Sequence, residues 1–225
     1  MSDLNDVVAV GLDLKPRTLL HAYAQGVFPW PSEGLPLLWY SPQRRAILPF
    51  ESLHVSKRLK QYLNKSDFRF TMDQAFESVI TACGERGSEG TWISTEMKAA
   101  YLELHRLGHA HSLEVWQENK LVGGLYGVDT AGYFAGESMF HRVDHASKAA
   151  LLFGVAQLKK AGRDFMDIQV MSPHLEVMGA IEISRAQFKK KLARAQEVIK
   201  LLGPSQPFLG ERESFVYRDF SKFIE

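Results

Sequence analysis

In the run DFMDIQV, Asp164 to Val170, a carboxylate and an amide (Asp167 and Gln169) stand two residues apart among mostly apolar neighbours. A β-strand alternates its side chains between faces, so these two would share one face while Met166, Ile168 and Val170 point into a core. Burying both without partners would cost several kcal/mol, about 2–7 for a neutral polar group and more for a charge. That face therefore packs on polar partners, meets solvent, or lines a working cleft. In a cleft, a carboxylate beside an amide suits positioning and deprotonating an amine nucleophile. Glu137 is the third such group, set in GYFAGESMF between Gly136 and Ser138. Its glycine neighbour would let a ligand or another backbone approach closely. The solvent face of an edge strand would account for a glutamate there equally well.

Other residues suggest recognition rather than reaction. Trp30 in GVFPWPSEG and Trp92 in SEGTWIS fall in loops. They either anchor those loops by packing or offer faces for a nucleobase, worth about 1–3 kcal/mol per stacked base. Lys57, Arg58, Lys60 and Lys65 crowd one short segment, as a solvated helix face or as a patch for a phosphate backbone. His109 and His111 have no further ligand at a recognisable metal-binding spacing, so no metal site is expected. Cys83 falls on the apolar side of its helix and reads as packing.

The elements that must position these groups can be read from caps and periodicity. Pro16 and Gly26 bracket a helix, LLHAYAQ. The Pro-, Gly- and aromatic-rich run that follows reads as packed loop with at most short strands. A boundary near Gln43 divides a small N-terminal module, residues 1–43, from a main domain, residues 44–225. Ser56 caps KRLKQYLNK, Thr71 and Gln74 form a capping box before AFESVITAC, and TEMKAAYLELHRL makes a third helix after the loop GERGSEGTWIS. From His111 the pattern changes to three strands, HSLEVWQ, KLVGGLYGV and YFAGESMF, with turns at Glu118-Asn119 and at Asp129 to Gly132. A helix over HASKAALLFGVAQLKKA, the strand FMDIQV, and a short helix from Ser172-Pro173 follow. Ser184 and Gln187 box the start of a long helix, and the tail after Gly203 shows no pattern.

Composition narrows the class. The 225 residues are 45% hydrophobic and 24% charged, the balance of a globular protein. With 27 basic and 26 acidic side chains the net charge is +1, which excludes the global footprint of a non-specific nucleic-acid binder but not a local basic patch. No apolar run reaches the ~20 residues of a membrane span, and MSDLNDVV does not resemble a signal peptide. A single cysteine fits a reducing compartment, so a cytoplasmic protein is expected. No extended apolar surface stripe stands out, which makes a monomer the expectation.

Three strands, a helix, a strand and a helix form an α/β (α+β) order that suits a GNAT-type acyltransferase domain, and other α/β arrangements as well. Those enzymes hold the CoA pyrophosphate on a glycine-rich turn entering the main helix. The corresponding stretch here, HRVDHASKAA, has no glycine. A GNAT-like domain of this sequence is therefore expected to lack CoA.

Collinear blocks then identify a resemblance: AYAQGVFPW, LLWYSPQRRAIL, LHVSKRLK, GTWIS, YLELHRLGHAHSLEVW, LVGGLYGV, FAGESMF, ASKAALL and DIQV followed by PHLEVMGAIEISR. From about Gly11 to Arg185 the chain resembles the bacterial leucyl/phenylalanyl-tRNA–protein transferases. The resemblance implies transfer of Leu or Phe (Met as a further donor) from aminoacyl-tRNA to the α-amine of proteins beginning with Arg or Lys, marking them for N-degron proteolysis. It implies a small N-terminal module before a GNAT-like domain, with no CoA and no metal. By motif, Trp30 and Trp92 would pack around the terminal adenosine. Glu137, Asp167 and Gln169 would handle the incoming amine, and Leu125, Phe134, Leu151, Phe153 and Met166 would form the aminoacyl pocket. Lys57, Arg58, Lys60 and Lys65 would meet the tRNA backbone. The family's usual D-C-Q reads Asp167-Ile168-Gln169 here, and W-W-S-P reads Trp39-Tyr40-Ser41-Pro42. A CoA-dependent N-acetyltransferase and a non-catalytic tRNA-binding module are the alternatives.

Overall fold

The computed structural model describes residues 4–32, 34–85, 91–130 and 132–202. The patternless tail beyond Gly203, residues 86–90 of the loop before Trp92 and residue 131 of the turn before Gly132 lie outside them. Among the described residues no helix is long and apolar enough to cross a membrane.

Two sheets organise a mixed α/β chain. The smaller has three strands in the order β1 (Val7–Val10), β3 (Leu38–Tyr40), β2 (Phe28–Trp30), with α1 (Pro16–Ala24) between β1 and β2. The larger has seven. Its strands are β4 (Arg44–Pro49), β5 (Arg69–Met72), β6 (Ala110–Gln117), β7 (Lys120–Thr130), β8 (Tyr133–His141), β9 (Phe165–Gln169) and β10 (Ile181–Ser184). They run in the order β10-β4-β9-β8-β7-β6-β5. The expected meander is β6, β7 and β8, turned at Glu118-Asn119, both at positive φ (47° and 61°). Every pairing in the large sheet is antiparallel except β8 with β9. A parallel pair needs a crossover, and α5 (Ala146–Lys160) supplies it. Most of that helix is buried, as its all-round apolar sequence requires.

Strand alternation divides the core between the two faces of the large sheet. Ala46, Leu48, Phe134, Met166 and Ile168 pack with α5 and α2 (Lys57–Lys65). Ile47, Tyr133, Ala135 and Phe165 pack with α1, α3 (Phe76–Gly84), α4 (Thr95–Arg106), α7 (Arg185–Leu202) and the small sheet. Caps at Ser56 and at Ser184 with Gln187 form as expected; Ser184 N–H donates to Gln187 and Gln187 N–H to Ser184. The Thr71–Gln74 box does not. Thr71 lies in β5 and donates to the buried Glu114, and α3 starts at Phe76 without a side-chain cap.

Candidate active site

β8 and β9 register only at Phe134–Met166 and Ala135–Asp167. Beyond these pairs the ladder is not continued, and a cavity of about 790 Å³ opens there. Glu137 and Gln169 stand on its two sides, and Gln169 Nε2 donates to Glu137 Oε1 across 2.8 Å. The other Glu137 oxygen accepts from Tyr101 Oη at 3.2 Å, and Tyr101 in turn bonds the Tyr23 hydroxyl. Burial pushes the Glu137 carboxyl up to about 7; the Asp167 charge adds to this, while the tyrosine hydroxyls and Arg45 oppose it. A carboxylate poised near neutrality in a cleft can accept a proton at working pH.

Asp167 does not face this cavity. It shares the Phe165 face of β9 and is fully buried in a two-pronged pair with Arg45, Nε to Oδ1 at 2.8 Å and Nη2 to Oδ2 at 2.7 Å. The guanidinium lies between the rings of Phe28 and Phe188, 4.7 and 4.6 Å from their centroids, and its third contact is Gly26 O at 3.1 Å. Gly26 has φ +73°, and a Cβ there would lie 2.6 Å from Phe188 Cε1, so the site needs glycine. Burial alone would discourage the Arg45 charge, but Asp167 outweighs it and holds the guanidinium pKa up.

The expectation that Asp167 and Gln169 share a face is therefore corrected. A register shift between Ala46 and Ile47 on β4 accompanies a positive φ of 55° at Gln169. The break in alternation turns Gln169 to the cavity together with Met166 and Ile168. Asp167 Oδ1 accepts the Gln169 N–H at 3.1 Å, so the sealed ion pair holds the kink that presents the amide.

The remaining expected residues separate into those the cavity gathers and those it does not. Leu125, Leu151 and Met166 line an apolar wall, joined by Met139, Ile168 and Leu175. Phe134 and Phe153 are fully buried in the core and are not among the lining residues; Phe153 packs on Phe70, with centroids 5.3 Å apart. Position 154 is glycine, and a Cβ there would press on Leu113 at 2.7 Å, so this stretch of α5 is packed against the sheet. Trp30, which ends β2 instead of lying in a loop, stacks on Trp92 with centroids 5.7 Å apart and planes at 27°. Both rings line the cavity. Lys57, Arg58, Lys60 and Lys65 are exposed on α2. That helix reaches the cavity where Tyr62 meets His145 edge-on, 4.7 Å between centroids.

Sequence reasoning assigned no role to Arg45, Tyr23 or Tyr101. A signal for Arg45 was present: a buried aspartate demands a cation, and Arg44-Arg45 on one strand place one side chain outward and one inward. Arg44 pairs with Glu182 at the surface.

Comparison with known proteins gives this geometry a context. The family model described as leucyl/phenylalanyl-tRNA protein transferase matches residues 47–193, and that of the family's N-terminal domain matches residues 12–43. Similar proteins named leucyl/phenylalanyl-tRNA–protein transferase include one from Yersinia enterocolitica, 47% identical over 192 residues, covering 85% of this chain and 81% of the relative. Another from Shewanella pealeana is 47% identical over 195 residues, covering 86% and 83%. A third, from Pseudoalteromonas atlantica, is 47% identical over 197 residues, covering 87% and 84%. With two consecutive family matches and relatives at nearly half identity along most of its length, the chain belongs to the leucyl/phenylalanyl-tRNA–protein transferase family.

Proposed function

We propose that this protein transfers Leu or Phe, with Met as a further donor, from aminoacyl-tRNA to the N-terminal α-amine of proteins beginning with Arg or Lys. The observation that carries this reading is the Glu137–Gln169 pair inside a cavity that also holds an apolar wall and a tryptophan pair. The terminal adenosine stacks on Trp30 and Trp92. The aminoacyl side chain enters the wall of Leu125, Leu151, Met166, Met139 and Ile168. An apolar pocket discriminates modestly, by about 1–3 kcal/mol per methylene.

Glu137 and Gln169 hold the incoming amine and Glu137 takes its proton. The amine nitrogen bonds to the ester carbonyl carbon, the carbon–oxygen ester bond breaks, and the ribose oxygen leaves with a proton. An activated ester needs little covalent help, so orientation supplies most of the rate. Asp167 is a positioning residue here, acting through the Gln169 backbone. The exposed cations of α2 follow the tRNA backbone.

The domain from residue 44 onward is GNAT-like, carried on a small N-terminal module ending near residue 43. The reaction uses neither CoA nor metal, and the product enters N-degron proteolysis in the cytoplasm, with the enzyme acting as a monomer. The test supplies leucyl-tRNA carrying labelled leucine and a peptide beginning with Arg, with acetyl-CoA as the competing donor. Label is expected on the peptide, and RNase added before the reaction should abolish its transfer. No transfer from any aminoacyl-tRNA to Arg- or Lys-initiated peptides would sink the reading.

A further inference from the structure

One end of the cavity is cationic, and the chemistry described above makes no use of it. His141 at the end of β8, His145 and Lys148 at the start of α5, and His174 in the short helix α6 (Pro173–Glu176) all line that end. Asp144 is the acidic group beside them. Ser172 Oγ, buried and without a hydrogen-bond partner among the described residues, belongs to the same stretch.

Separate elements thus bring like charges together, which is unfavourable unless an anion joins them. The repulsion is visible in the imidazoles. Burial, then Lys148 and His141, hold His174 below its ordinary pKa. Burial, Lys148, Arg58 and His141 do the same to His145, with Asp144 opposing. Arg58 extends the positive trail outward along α2, past the Tyr62–His145 contact. Trp30 and Trp92 line the same cavity. A base stacked on them would have a cationic surface within that cavity for the phosphates attached to it.

We propose that His141, His145, Lys148 and His174 form a subsite for the phosphodiester groups next to the terminal adenosine of the donor tRNA. The subsite rests on the donor reading given above. It makes the pocket specific for a nucleotide strand rather than a nucleoside ester. It also makes donor binding pH-dependent, because His145 and His174, whose charged forms burial and Lys148 disfavour, gain a counter-charge for those forms when phosphate arrives.

Calorimetry on the full chain with adenosine and with the trinucleotide CpCpA tests this. CpCpA should bind about tenfold more tightly than adenosine, a difference of about 1.4 kcal/mol. Its affinity should rise as pH falls from 8 to 6, beyond any change seen with adenosine. The double variant Lys148→Gln/His174→Gln should lose the gain yet bind adenosine as before. Its salt dependence should fall by about 0.7 in log–log slope for each phosphate released. Lys148→Arg should keep the gain and so guards against a folding artefact.

Equal affinity for CpCpA and adenosine would overturn the subsite, as would a gain that survives in the double variant. So would a double variant whose only defect is a raised KM for acceptor peptides with an acidic second residue, which would assign the wall to the acceptor. Failure of adenosine itself to bind would instead sink the donor reading, and the subsite with it.

Discussion

Two glutamates on the large sheet, Glu114 fully buried and Glu137 half-buried, have the same first cause acting on them and different fates. Glu114 on β6 is fully buried, and burial pushes its carboxyl up to about 6, with Asp73 adding to the effect. Both its oxygens are occupied: the Thr71 and Ser112 hydroxyls and the Ala75 N–H donate to them. Nearby, Asp73 pairs with His111 at 2.7 Å and accepts the Ser112 N–H, completing a polar clasp between β5, β6 and the start of α3. Glu137, pushed up to about 7, also accepts hydrogen bonds, but it retains an edge on the cavity beside Gln169. A raised pKa therefore marks a buried carboxylate and not a site. What distinguishes the site is room beside the group for a reactant.

The widest break in this comparison comes from removing a counter-charge. Arg45→Ala leaves Asp167 charged and sealed, and should cost about 3–5 kcal/mol of stability, read as a large fall in Tm. Transfer activity should fall with it, and Arg45→Ala/Asp167→Ala together should cost less than the sum of the two. Glu137→Gln should lower kcat/KM about 100-fold or more while Tm changes little. In the unmodified enzyme kcat/KM should rise with pH through about 7, where Glu137 becomes ionised, and the variant should lack that limb. Parallel losses of activity and stability would make Glu137 a second Glu114.

Glu114→Gln tests the other side. The folded state holds more protons than the unfolded chain between pH about 4.5 and about 6, so stability falls as pH rises through that window, by about 2 kcal/mol in all. The variant should abolish this slope in Tm against pH and leave transfer intact. The smallest effect belongs to Thr71→Val. Loss of one hydroxyl donor should cost about 1 kcal/mol and raise the Glu114 pKa further, again without touching transfer.

How far the sequence revealed this arrangement depended on whether a feature was local. The meander, the crossover helix and the caps at Ser56 and Ser184 followed from periodicity and short-range hydrogen bonding. β4 was hidden in RRAILP because its partners, β9 and β10, are more than 100 residues away in the chain. The box read at Thr71 failed because the hydroxyl was claimed by Glu114 across the sheet rather than by a helix end. Among the site residues, Glu137, Gln169, Trp30, Trp92, Leu125, Leu151 and Met166 all meet at one cavity. Phe134 and Phe153 were lost to the core, where α5 packs on the sheet. Asp167 was read on the right strand but toward the wrong neighbour, since alternation holds only until the backbone departs from β geometry at Gln169.

The contact between Trp30 and Trp92 has an optical consequence. Two indoles stacked 5.7 Å apart and only 27° from parallel couple their electronic transitions, so the pair should give an exciton couplet in circular dichroism. A base that slides between or against the rings must change that coupling. The empty and loaded states of the cavity should thus differ in a spectrum that needs no label, and donor entry can be followed in time before any bond is made.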